Sequence, residues 1–155
     1  MKNTISELSQ IISDFSAKLD TIPEELFSAK PKPEKWSKKE VLGHLIDSAN
    51  NNLRRFICGQ YEVNPKIIYQ QDFWVKSNNY QNVPRKNVIQ LWKLFNEQIC
   101  EVLQTMSVEN THLTCDTGKD SVQLYSIRWL ADDYVKHLKH HLNQIIPDSF
   151  GITYP

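Results

Sequence analysis

An all-α four-helix bundle is the architecture this sequence predicts, and three observations predict it. Four segments carry apolar residues at helical spacing. Prolines and irregular stretches separate those segments. The chain has 155 residues, which suits one domain, 1–155, with a core that needs no staples.

The first helix is read from Ile5, Leu8, Ile11, Ile12, Phe15 and Leu19, after which Pro23 and Pro31-Lys32-Pro33 mark a connection. The second opens on the capping box Ser37-Lys38-Lys39-Glu40, with Trp36 and Val41 as its hydrophobic staple. It is expected to run to about Gly59, with Val41, Leu42, Leu45, Ile46, Ala49, Leu53, Phe56 and Ile57 facing the core. The third starts near Pro84, a residue suited to a first helical turn, and buries Val88, Leu91, Trp92, Phe95, Ile99, Val102, Leu103 and Met106. The last runs from about Ser126 to before Pro147, with Ile127, Leu130, Tyr134, Leu138, Leu142 and Ile145 on one stripe. The connection between the second and third helices, 60–83, is long and aromatic-rich (Tyr61, Tyr69, Phe73, Trp74, Tyr80), which predicts an ordered lid or binding wall. Residues 107–125 read as irregular, with 122–125 as a short extended piece.

Composition narrows the function. Lys+Arg and Asp+Glu balance at 18 each, so no global field draws nucleic acid or anionic membrane. No stretch has the length and apolarity of a membrane span. Cys58, Cys100 and Cys115 lack CxxC pairing and read as reduced structural thiols, which points to a cytoplasmic protein. There is no glycine-rich phosphate loop and no Gly-x-Ser-x-Gly elbow.

The histidines carry the chemistry. His137 and His141 stand four apart on the last helix, so both imidazoles lie on one side of it, one turn apart. On a wheel of about 100° per residue they fall at the edge of the apolar stripe, whereas His140 points nearly opposite the core. Such a pair can reach one ion if a distant residue completes the site, and His44 on the second helix is the candidate. His44 lies with Asp47, Ser48, Asn51 and Arg55 on a polar side. Periodicity alone does not separate a solvated face from the wall of a wet groove, so a metal site and a histidine-rich surface helix stand about even on the residues. Leu138 follows His137 where a zincin protease needs Glu. Cys58 lies about 21 Å along the helix from His44 at roughly 1.5 Å per residue, too far to share an ion. His112 reads as a surface residue.

Three segments, in order, carry a family resemblance: Lys35-Trp36-Ser37-Lys38-Lys39-Glu40-Val41-Leu42-Gly43-His44-Leu45-Ile46-Asp47, then Tyr69-Gln70-Gln71-Asp72-Phe73-Trp74-Val75, then Tyr134-Val135-Lys136-His137-Leu138-Lys139-His140-His141-Leu142-Asn143-Gln144-Ile145. Together they resemble the DinB/YfiT-like metalloenzyme family and its DinB-like four-helix domain. The resemblance implies a bundle, often dimeric, in which His44, His137 and His141 bind a divalent metal. It also implies that the polar side of the second helix lines a cleft. Zinc or nickel is the first expectation for the ion, with iron or manganese as further candidates. The better understood members are metal-dependent transferases that use low-molecular-weight thiols such as bacillithiol or mycothiol. The implied partners are therefore a small thiol and an electrophilic substrate. Asn51 and Arg55 are candidates to meet an anionic thiol cofactor; Asp47, Asp133 and Gln144 to orient the imidazoles; and Gln71, Asp72 and Trp74 to wall the pocket. A hydrolase with the same ligands, and a non-catalytic stress-response or dimerisation module, are the alternatives.

Overall fold

The computed structural model describes residues 1–154. Its helices are α1 (Lys2–Asp20), α2 (Glu24–Ser28), α3 (Lys38–Cys58), α4 (Gln71–Asn78), α5 (Arg85–Thr105) and α6 (Ile127–Ile145). Single 3-10 turns lie at Tyr80–Asn82 and Asn110–His112. Two short strands, β1 (Thr114–Asp116) and β2 (Leu124–Ser126), pair antiparallel with Cys115 opposite Tyr125.

The four long helices form the bundle. Both α1 and α3 pack against α5 and α6, whereas α1 and α3 stand diagonally, as do α5 and α6. The connections from α1 to α3 and from α5 to α6 therefore cross the bundle rather than joining neighbours. This arrangement sets α3 beside α6. They run antiparallel, since His44 near the start of α3 meets the end of α6 and Gly59 lies against Ile127.

Local chemistry explains the ends. Ser37 Oγ accepts from the Glu40 amide at 3.1 Å and the Glu40 carboxylate accepts from the Ser37 amide at 2.8 Å, the reciprocal capping box. Ser126 caps α6 by accepting from the Trp129 amide at 3.2 Å. Between the helices lies an apolar core built on Leu8, Leu19, Leu42, Leu45, Phe56, Trp92, Ile99, Leu138 and Leu142. Each such side chain contributes about 1.5–3 kcal/mol on burial. One polar pin crosses this core: Tyr134 Oη donates to Asn96 Oδ1 at 2.6 Å, joining the diagonal pair α5 and α6.

Several expectations change. Ile57 and Leu91 lie at the margin of their stripes and are 42% and 41% exposed. The proline-bounded connection holds α2, too short for its period to show, which seats Phe27 in the core. Lys39 is buried and ties this connection down, bonding to Glu24 and to the carbonyls of Gln81 and Val83. The 60–83 connection is ordered, as expected, and Ile67, Val75 and Tyr80 anchor it by their burial. The polar side of α3, which periodicity left open between a solvated face and a groove wall, is covered: His44, Asp47, Ser48 and Asn51 are all buried beneath neighbouring elements.

Candidate metal centre

Position on α3 begins with backbone. The capping box fixes where the helix starts and so where His44, in its second turn, points. At Gly43 a Cβ would overlap the Tyr80 ring, so only glycine admits that ring against the helix. Thus seated, Tyr80 donates from its hydroxyl to Asp47 Oδ1 at 2.7 Å, and Asn78 Nδ2 donates to the same oxygen at 2.8 Å. The end of α4 and the turn after it are thereby locked over α3, which encloses its polar face.

His137 and His141 project from α6 toward His44. Ring centroids lie 5.1 Å apart for His44 and His137, 4.6 Å for His44 and His141, and 4.5 Å for His137 and His141. One nitrogen from each ring falls in a group whose members all lie within 4.8 Å of one another. The His44 and His137 Nε2 atoms are 3.2 Å apart. Two lone pairs at that distance repel, so a shared proton or a cation belongs between them.

Outer contacts orient the rings. Gln144 Oε1 lies 3.1 Å from His141 Nδ1, and the same amide's nitrogen lies 3.1 Å from His140 Nε2. Ser48 Oγ stands 3.5 Å from His137 Nδ1, a loose contact. His44 Nδ1 is buried with no hydrogen-bond partner, and Trp36 packs on that ring at 5.2 Å between centroids. Burial, reinforced by the neighbouring imidazoles, lowers His44 to about 3 and His137 to about 2, and holds His141 below its ordinary value. Three neutral imidazoles facing one point are a donor set that fits a divalent ion.

Beside the centre opens a cavity of about 740 Å³ bounded by Leu26, Trp36, Lys35, Lys38, Asp72 and Gln144 among others. Trp36 touches His44 and Gln144 touches His141, so the cavity lies one side chain from the imidazoles. Lys30 is paired with Glu40 at 2.8 Å, whereas Lys35 and Lys38 have no ion-pair partner among the described residues.

The other expected residues divide. Gln144 meets its imidazole, and Gln71 and Asp72 line the cavity. Trp74 does not line it but packs edge-on against Tyr69. Asp47 turns to Tyr80 and Asn78 rather than to His44, and Asp133 accepts from the Tyr154 hydroxyl rather than meeting His137. Asn51 donates to the Asp47 carbonyl on its own helix. Arg55 donates to the Ile67 carbonyl and to Asn52, and neither Asn51 nor Arg55 borders the cavity. His140 and His112 stand outside the three-histidine group. Sequence reasoning missed Tyr154, whose ring lies 5.7 Å from both His137 and His140, because an isolated aromatic after a helix carries no period.

With that geometry in view, comparison with known proteins is informative. The family model of the DinB superfamily matches residues 7–145. Among solved structures, YfiT from Bacillus subtilis is described as a probable metal-dependent hydrolase with an unusual four-helix bundle topology. It aligns with a TM-score of 0.83 at 18% identity, over 93% of this chain and 82% of its own. A mycothiol-dependent maleylpyruvate isomerase aligns with a TM-score of 0.69 at 9% identity over 91% of this chain, which spans 59% of that enzyme. At these identities the likeness is one of fold. No curated protein matches the chain significantly in sequence. Among the described residues, no helix is long and apolar enough to cross a membrane.

Proposed function

The chain belongs to the DinB superfamily, and from that premise we propose that it is a divalent-metal-dependent enzyme transferring a small thiol to an electrophile. His44, His137 and His141 would hold the ion, with zinc or nickel expected first and iron or manganese also compatible with a nitrogen donor set. The observation that carries the reading is the convergence of three neutral imidazoles beside a cavity large enough for a small-molecule substrate. A bound divalent ion would supply Lewis acidity, lowering the pKa of a thiol presented to it so that thiolate is available near neutral pH.

The chain's own residues do the rest. Gln144 fixes the His141 tautomer and ring plane, Ser48 steadies His137, and Trp36 holds His44 by packing. Lys35 and Lys38 at the cavity rim would receive an anionic group of the thiol, while Leu26 and Trp36 offer apolar surface to the electrophile. In the transfer, sulfur bonds to the electrophilic carbon, the leaving group departs with the bonding pair, and the thiol proton passes to solvent.

Thiol transfer is preferred to hydrolysis because a mycothiol-dependent enzyme shares the fold. Asp133 is held through both oxygens by Tyr154, whereas Asp47 accepts from Tyr80 and Asn78 at Oδ1 alone and its Oδ2 is buried without a partner. A thiolate attacking carbon needs no general base. The free cysteines accord with a cytoplasmic setting.

The test is twofold. Protein purified without a histidine tag is analysed for metal beside a His137→Ala/His141→Ala variant; equal content in both would sink the site. Metal-restored protein is then offered an aryl chloride with bacillithiol, glutathione or coenzyme A. Conversion that depends on thiol supports transfer. Thiol-independent cleavage of an activated ester, with no thiol-dependent reaction, would replace it with hydrolysis.

A further inference from the structure

The chain beyond α6 does not trail away from the bundle. It reverses at Asp148, whose φ of 59° is left-handed. Asn143 anchors the returning segment twice, donating from Nδ2 to the Phe150 carbonyl and accepting from the Phe150 amide, each at 2.9 Å. The Phe150 ring stacks on Phe15 of α1 at 5.2 Å between centroids. The strap then runs back along α6 and delivers Tyr154 to the histidines. There the phenol donates to both Asp133 oxygens, at 3.1 and 3.2 Å. Its ring stands edge-on to His137 and tilted over His140, with centroids 5.7 Å away in each case.

Tyr154 does not border the large cavity. His137 is thus held between Ser48 on α3 and Tyr154 on the strap. The strap's hold is graded: strong at Phe150, where two hydrogen bonds and a stacked ring act together, and at Tyr154 dependent on one phenol latch. A segment of that kind opens locally, at much less cost than unfolding the bundle.

We propose that Tyr154, latched to Asp133, is a further residue of the histidine centre. It positions the His137 ring and covers that flank of the centre, so that a divalent ion enters and leaves when the strap lifts. The inference rests on the metal-binding reading above. It assigns to Tyr154 the exchange of the ion rather than its coordination.

Cobalt(II) serves as the probe, because its visible absorption reports binding directly. Entry is followed by stopped-flow mixing with metal-free protein and release by mixing loaded protein with excess chelator. Tyr154→Phe keeps the ring and loses the latch; Tyr154→Ala loses both. In Tyr154→Ala, entry and release should both accelerate by about tenfold, with one cobalt still bound per chain; Tyr154→Phe should fall between it and the parent. Wild-type rates in both variants would overturn the proposal. So would faster release with unchanged entry, which marks a residue that merely supports affinity. Should Tyr154→Ala fail to fold, the conservative Tyr154→Phe decides alone. Absence of cobalt binding by the parent would remove the metal-site reading and the gate with it, whereas equal rates with cobalt bound remove only the gate.

Discussion

His44 and His137 bring their Nε2 atoms within 3.2 Å although they are 93 residues apart in sequence. They do so because the diagonal arrangement of the bundle lays α3 against α6. Burial keeps both rings neutral, so their lone pairs are available without loss of a proton. Ion binding should therefore stabilise the native state by mass action. At a free ion concentration of 100 times Kd the gain is about 2.7 kcal/mol, which at roughly 2–4 °C per kcal/mol raises Tm by about 5–10 °C. His44→Ala and His141→Ala should abolish the shift in calorimetry with zinc, and His140→Ala should retain it. A shift preserved in His44→Ala would show that the ion binds elsewhere.

Gly43 is fixed by its neighbour rather than by its own backbone, since it sits in an ordinary helix and gives space to the Tyr80 ring. Gly43→Ala would improve helix propensity by roughly 1 kcal/mol in an open helix. Here the added methyl meets Tyr80, and overpacking costs about 1–3 kcal/mol. The expected result is a lower urea midpoint in Gly43→Ala, with most of that loss absent when the substitution is made in a Tyr80→Ala background. Equal losses in both backgrounds would mean that the ring is not the obstacle.

The capping box and the His137/His141 pair were legible because each is local: Ser37 and Glu40, or two histidines one turn apart, meet by helix geometry alone. The four long helices were legible for the same reason, their stripes repeating often enough to be counted. His44 was harder. Its polar neighbours Asp47, Ser48 and Asn51 read like a wet surface, and only α6, the end of α4 and the turn at Tyr80 convert that surface into a buried groove. No periodicity records what covers a face. The same gap hid Asp47's partners and Tyr154, which depend on contacts 31, 33 and 21 residues apart in the chain.

Asp47 predicts a pH effect whose sign follows from its burial. Desolvation raises its carboxyl to about 6, against hydrogen bonds from Tyr80 and Asn78 that pull it down. A raised native pKa means that the folded state binds more protons than the unfolded one between about pH 4 and 6. The contribution is thus fully present below pH 4 and is lost as pH rises through 6. The lowered histidines work in the opposite direction, so the effect is read as a difference. In metal-free protein, the stability of Asp47→Asn relative to the parent should increase from pH 4 to 6 and then level off. A constant difference across that range, measured by urea unfolding, would refute the assignment.

Lys35 and Lys38 differ from Lys30 in having no carboxylate partner at the cavity rim. If they receive an anionic thiol, Lys35→Gln and Lys38→Gln should each raise KM for that thiol by about two- to fivefold, the size of a solvent-exposed charge contact. Little change in kcat is expected. The effect should shrink as salt is added. Unchanged KM in the double variant at low salt would place the thiol elsewhere.

The unequal contacts behind the imidazoles give the sharpest test of the centre itself. Gln144 meets His141 Nδ1 at 3.1 Å, within hydrogen-bond range, whereas Ser48 stands 3.5 Å from His137 Nδ1, at its limit. Partners that fix the tautomer and plane of a ligand typically change metal affinity by about 10–100-fold when removed. Gln144→Leu should therefore weaken cobalt binding by at least about tenfold, and Ser48→Ala by less, because the bond it deletes is already long. Competition against a chromophoric chelator measures both constants on the same scale. The order matters more than either size: a larger loss for Ser48→Ala than for Gln144→Leu would mean that His137 is the ligand held by hydrogen bonding. In that case the His141 ring would be fixed by packing alone, and the present assignment of roles would have to be exchanged.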